Sequence, residues 1–223
     1  SDTASGTPAY NATGLTANTE YYIYYQADCG GGTTSDWAGP FVGTTLCDAY
    51  VPDYTQNFDT FAPDCWDEAG GGTPATGPTG LGSGDWTADG WLNSGTTGAA
   101  RLNLYSNVDE EWLLSPQFDL SAGGYELVYS IGLTDYANSN PPEGNGMGVD
   151  DEVQVLISDD NGATWTALMT YNQSSYPSHT GDVETIDLTP YDGSTVQFAI
   201  WGTDGSVDDS EDYDVFIDDF IVR

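Results

Sequence analysis

Lysine is absent from the 223 residues, and arginine occurs only as Arg101 and Arg223. Against these two cations stand 36 carboxylates, a formal charge of −34 with the single histidine, His179, counted as neutral. A surface this negative repels phosphate backbones and anionic lipid, which excludes nucleic acid and direct membrane insertion as modes of action. Histidine is too scarce for a zinc cluster, and Cys29, Cys47 and Cys65 form no CxxC pair, so zinc is not expected. No leader-like or membrane-spanning apolar run is present, and the chain begins at Ser1, as a mature or excised segment of a longer polypeptide would. Helical periodicity is missing too. Instead 28 Gly and 11 Pro punctuate short apolar runs, a pattern of strands and turns.

What is present can build a core. Hydrophobic residues make up 38% of the chain and aromatics 13%, including 7 Trp and 15 Tyr, too many for a disordered segment. The length suits one large domain or two small ones. So many like charges destabilise a compact state unless something screens them. Bound divalent cations would do so, and so would a salty medium in which the Debye length falls to several ångströms. Both explanations stand at this point.

Residues 20–28 alternate with period two: Tyr21, Ile23 and Tyr25 on one face, Tyr22, Tyr24 and Gln26 on the other. A Gly turn at 30–32 and a strand at 40–45 follow. Gly14-Leu15, Thr19 and Tyr21, with Ser35, Trp37, Phe41 and Thr44-Thr45, resemble the last two strands of a fibronectin type III domain. The resemblance places Tyr21 at the tyrosine corner, its hydroxyl turned back to the backbone. It covers residues 1–46, about half such a domain, and implies a domain cut by the ends of this chain.

From Cys47 onward, strands are expected at 54–59, 99–105, 111–118, 124–133, 151–158, 164–171, 183–188, 194–203 and 213–222, with Gly-, Thr- and Pro-rich loops at 70–84 and 138–148. Phe58-Asp59, Cys65-Trp66, Trp112-Leu113-Leu114-Ser115-Pro116, Phe118-Asp119-Leu120 and Ile217-Asp218-Asp219-Phe220-Ile221 occur in an order that resembles the MAM and cleaved-adhesin group, the latter found in gingipains. This resemblance covers 47–223. It implies an all-β fold: a jelly-roll β-sandwich preceded by part of a fibronectin type III-like sandwich. It also implies a first disulfide between Cys47 and Cys65, worth about 3 kcal/mol for a loop of this size, and hence an oxidising, extracellular or cell-surface setting.

Ser158-Asp159-Asp160-Asn161-Gly162-Ala163-Thr164-Trp165 matches the Asp box S-x-D-x-G-x-T-W. The motif is a hairpin device: Asp160 accepts backbone N–H groups, Gly162 supports positive φ, and Trp165 packs beneath. Its presence in sialidases does not make it catalytic. His179 lies in a loop with no nucleophile elbow nearby. Among 36 acids some pair will always stand at glycosidase spacing, so pairs alone carry no weight. Arg101 is expected to make a structural ion pair.

The acidic groups carry the main expectation. Asp150 and Asp151 precede a strand; Asp208, Asp209, Asp212 and Asp214 crowd the 204–214 loop; Asp218 and Asp219 interrupt an apolar strand. On a regular strand Asp218 and Asp219 point to opposite faces, so one is expected to face inward, where an unpaired carboxylate costs several kcal/mol. The resemblance implies a structural Ca2+ held by acids of the first and last strands, the positions of Asp59 and of Asp218 with Asp219. Calcium takes six to eight oxygens and suits such loops. Trp86 and Trp91 are weaker candidates for stacking on a sugar ring. The functional expectation is a non-catalytic adhesion or structural module, stabilised by calcium, whose partner is a protein or glycan on another surface or copies of itself in a fibre. The alternative is a carbohydrate-binding module of a larger secreted hydrolase.

Overall fold

The computed structural model describes residues 10–96, 98–105, 110–144, 146–207 and 209–223. The protein is almost entirely β, and the chain divides into two units after Asp48.

In the first unit, β1 (Glu20–Tyr25) pairs antiparallel with β4 (Ala38–Thr44), and β2 (Asp28–Gly30) with β3 (Thr33–Thr34). The alternation of β1 does not bury either face: Tyr22, Ile23, Tyr24 and Tyr25 are all exposed. Tyr25 stacks on Phe41 with ring centroids 5.4 Å apart. The Tyr21 hydroxyl accepts the Thr16 N–H at 2.8 Å, which folds the approach to β1 back on itself.

The second unit holds β5 (Tyr54–Gln56), β6 (Asp67–Gly70), β7 (Thr87–Gly90), β8 (Gly98–Leu104), β9 (Glu110–Asp119), β10 (Glu126–Asp135), β11 (Glu152–Ser158), β12 (Thr166–Asn172), β13 (Asp182–Asp187), β14 (Thr195–Thr203) and β15 (Tyr213–Val222). One sheet runs β13-β10-β15-β8-β7, with β5 against the far end of β15; the other runs β12-β11-β14-β9-β6. The eight strands β8 to β15 therefore lie as 8-15-10-13 over 9-14-11-12, the double Greek key of a jelly roll. Strands β6 and β7 extend its edges.

Period-two patterning fills the space between the sheets. Leu102, Leu104, Leu127, Tyr129, Ile131, Tyr213, Val215 and Ile217 meet Leu113, Phe118, Val153, Val155, Ile157, Val196, Phe198 and Ile200 in one core. Trp66 caps it, its ring edge-on to both Phe58 and Phe220. The outer face of the second sheet is apolar as well: Trp112, Trp201 and Leu156 pack with Trp165 of the Asp box. The loop after β6 covers them, and the Gly72 carbonyl accepts both indole N–H groups, from Trp112 at 2.8 Å and Trp201 at 3.1 Å.

The Asp box closes the β11–β12 hairpin. Asp160 accepts the Thr164 N–H at 2.8 Å and the Thr164 hydroxyl at 2.7 Å, while Ser158 Oγ accepts the Gly162 N–H at 2.8 Å. Gly162 has φ +80°, a conformation that favours glycine. Cys47 and Cys65 are joined in a disulfide, and Cys29 is free.

Candidate functional site

The last strand carries the decisive irregularity. Val128 pairs with Ile221 but Ser130 pairs with Asp218, so β15 has one residue more than β10 across this step. Asp219 absorbs it with φ +47°. The bulge corrects the expected alternation. Ile217 and Phe220 both enter the core, whereas Asp218 and Asp219 both line a pocket outside it. Neither carboxylate points between the sheets.

The bulge also falls at a gap in β15's edge. β8 pairs with residues 213–217 and β5 with 220–222, so among the described residues no strand covers 218–219 on that side. The chain leaving β5 fills this opening with Asn57 and Asp59. It can do so because β8 starts on Gly98, where a Cβ would stand 2.6 Å from Asp59 Cα.

The result is an open pocket of about 460 Å³, lined by Asn57, Asp59, Trp91, Ser130, Thr180, Asp182, Asp218 and Asp219. Asn57 Nδ2 donates to Asp59 Oδ2 at 2.6 Å, and the Asp219 N–H donates to Asp218 Oδ1 at 2.7 Å. Asp218 is 9% exposed. Burial pushes its carboxyl up to about 6; the Asp219 N–H opposes the rise, and the charges of Asp219 and Asp59 add to it. Trp91 stands on the pocket wall, its ring edge-on to Phe216 at 6.2 Å. Trp86, by contrast, is 2% exposed and belongs to the core, so it offers no ring to a ligand.

Neither arginine is left to neutralise these acids. Arg101 reaches Asp214 at 2.7 Å and Asp89 at 3.0 Å, and Arg223 reaches Glu126 at 2.8 Å. Those are the only two Arg or Lys residues in the protein.

The remaining acids separate into distinct surroundings. Asp214 is fully buried; besides Arg101 it accepts Asn93 Nδ2 at 2.8 Å and the Ala137 N–H at 2.9 Å, which makes it a structural ion pair. Asp212 Oδ1 accepts Asn103 Nδ2 at 2.9 Å. Asp208 lies outside the described residues. Asp150, Asp151 and Asp209 form a second group whose carboxylate oxygens fall within 4.8 Å of one another, the tightest such triad among the described residues. The pocket acids Asp59, Asp218 and Asp219 are more widely spaced than that.

Ser130, Thr180 and Asp182 come to the pocket from β10, the loop before β13 and β13 itself. No local motif marks them; only the sheet order brings them together. The Asp182 carboxylate accepts the Ser178 N–H at 2.7 Å, which shapes the 178–182 turn at the rim.

No family model matches the sequence, and no curated protein matches it. Solved structures with similar folds do exist. The K1 cleaved-adhesin domain of Lys-gingipain from Porphyromonas gingivalis W83 is 14% identical, with a TM-score of 0.49 over 77% of this chain and 98% of that one. The K3 cleaved-adhesin domain of the same protein is 16% identical, with a TM-score of 0.46 over 76% and 97%. A CBM61 module solved in complex with β-1,4-galactotriose is 14% identical, with a TM-score of 0.46 over 75% and 93%. The likeness is one of β-sandwich architecture. Among the described residues no helix is long and apolar enough to cross a membrane.

Proposed function

We propose that the second unit is a non-catalytic binding module of an extracellular or cell-surface protein, stabilised by calcium at the Asp59–Asp218–Asp219 pocket and contacting a glycan beside it. The observation that carries this reading is the bulge of β15, which turns two consecutive carboxylates into one pocket with Asp59 while both arginines are engaged elsewhere. A hard divalent cation satisfies such oxygen-rich surroundings, and Asn57 and Ser130 add neutral oxygens. Trp91 supplies an apolar face next to Thr180, Asp182 and Asn57, the mixture of one aromatic ring and several polar groups that suits a sugar. The disulfide fits an oxidising compartment. The preceding unit fits the end of a fibronectin type III-like domain, with Tyr21 bonded back to Thr16.

Glycan microarray binding in calcium and in chelator, with Trp91→Ala alongside, tests the proposal. Calcium-dependent binding lost in Trp91→Ala supports it. Turnover of a bound oligosaccharide would overturn the non-catalytic reading. Retention on another protein or on itself, with no glycan bound, would replace the glycan by a protein partner. A module of a larger secreted hydrolase would use the same pocket; binding confined to soluble polysaccharide favours that parent, and binding to cell-surface glycans favours an adhesin.

A further inference from the structure

A second place in the same unit gathers carboxylates, at the end of the sandwich where the loop before β11 meets the loop between β14 and β15. Three acids alone would be a solvated surface, but one of these is not solvated. Asp151 is 3% exposed. Its Oδ2 accepts the Tyr213 hydroxyl at 2.5 Å and the Gly148 N–H at 3.0 Å, whereas its Oδ1 is buried and takes no hydrogen bond from the described residues. A buried carboxylate oxygen without a partner is a position that native proteins rarely leave open.

The surroundings aim it into the triad. Asp209 Oδ2 accepts the Val149 N–H at 2.8 Å, and Asp150 is held by the Ser206 N–H at 2.8 Å, so each loop is fixed by a carboxylate of the other. Between them stands Gly148, and the space belongs to its missing side chain. A Cβ there would lie 2.7 Å from both Asp151 oxygens and would collide with Asp209 Oδ2. Tyr213, itself fully buried, donates its hydroxyl to Asp151. It orients Asp151 without neutralising it. Both arginines are bound elsewhere, as described above.

We infer that Asp150, Asp151 and Asp209 hold a divalent cation of the calcium type, which clips the 146–151 loop to the 204–209 loop. The carboxylates contribute negative oxygen ligands from two loops, and water completes the shell, the arrangement that hard cations favour over nitrogen or sulfur sites. This ion is separate from the one proposed at the Asp59–Asp218–Asp219 pocket and does not depend on it.

Calcium titration calorimetry of the whole chain, with hydrogen exchange of the two loops, tests the inference on wild type, Asp151→Asn and Asp218→Asn. Asp151→Asn keeps an acceptor for Tyr213 and removes one charge. It should weaken calcium at one site by at least about 10–100-fold, the scale seen even for outer-shell ligand changes. It should also abolish the calcium-dependent protection of the 146–151 and 204–209 amides, which Asp218→Asn should leave intact. Should Asp151→Asn fail to fold, Asp209→Asn, in a partly exposed loop, serves the same purpose. Equal calcium affinity and stoichiometry in wild type and the loop variants would overturn the inference, as would loops whose exchange is indifferent to calcium. A single ion lost in Asp218→Asn but not in Asp151→Asn refutes this site and leaves the pocket standing. The reverse pattern does the opposite.

Discussion

Asp218→Asn provides a sharp test of the pocket because removing a buried charge should stabilise the metal-free protein. In chelator, Asp218 titrates at about 6 in the folded chain, against about 3.9 in an unfolded one. An acid whose folded pKa is raised binds its proton more tightly when folded, so stability is greatest below about pH 4 and falls as the pH rises to about 6. The full difference corresponds to about 3 kcal/mol. The pocket is open to water, which screens the charge, so a working figure is about 1–2 kcal/mol. Asn keeps an oxygen to accept the Asp219 N–H and carries no proton to lose. At about pH 7 in chelator the variant should therefore melt higher than wild type, by about 2–4 °C for each kcal/mol. Near pH 4 the two should coincide. Saturating calcium should reverse the order, because the ion stabilises the carboxylate and has less to bind in the amide. Thermal melts across this pH range, with and without calcium, read all three outcomes. A variant less stable than wild type in chelator at about pH 7, with an unchanged pH slope, would refute the assignment of a desolvated, uncompensated Asp218.

Three further changes probe the frame around the pocket. Arg101→Met should destabilise the unit by about 3–5 kcal/mol by leaving the fully buried Asp214 charge unpaired; chemical denaturation of the single variant and of Arg101→Met with Asp214→Asn should show partial recovery in the double. Cys47→Ser with Cys65→Ser should lower stability by about 3 kcal/mol, and reductant should then leave the melting temperature of the variant unmoved while lowering that of wild type. Asp160→Ala removes the acceptor of the Thr164 N–H and hydroxyl, so hydrogen exchange at 162–164 should accelerate while the β9–β14 ladder keeps its protection.

Much of the fold is legible in the residues because each long strand buries one face against a single core. The alternation of β10, β14 and β15 and the apolar density of β11 lead to strands at their observed places, and the Asp box locates its hairpin to the residue. Short β6 and β7 escape this reading: Asp67–Gly70 and Thr87–Gly90 carry little apolar signal and owe their conformation to β9 and β8. The bulge is the instructive failure. Core residues Val215 and Ile217 set one phase, and Phe220 and Val222 set the other, so the slip is written in their spacing. Phe216 and Ile221 are also apolar and hide it, because the outer face of this strand is partly covered too. Trp86 and Trp91 show the limit of composition: five residues apart, one is core and the other lines the pocket. At Asp151 the acids are visible in sequence, but of the partners that orient it Gly148 is in its own loop and Tyr213 reaches it only from the start of β15.

The most direct measurement is the melting temperature of the intact chain in excess chelator against calcium raised stepwise to saturation. An ion held at Asp59, Asp218 and Asp219 predicts a steady rise to which this site adds about 2.7 kcal/mol at a hundredfold excess over its dissociation constant, a share that is lost in Asp218→Asn. Superimposable melts in chelator and calcium would contradict it.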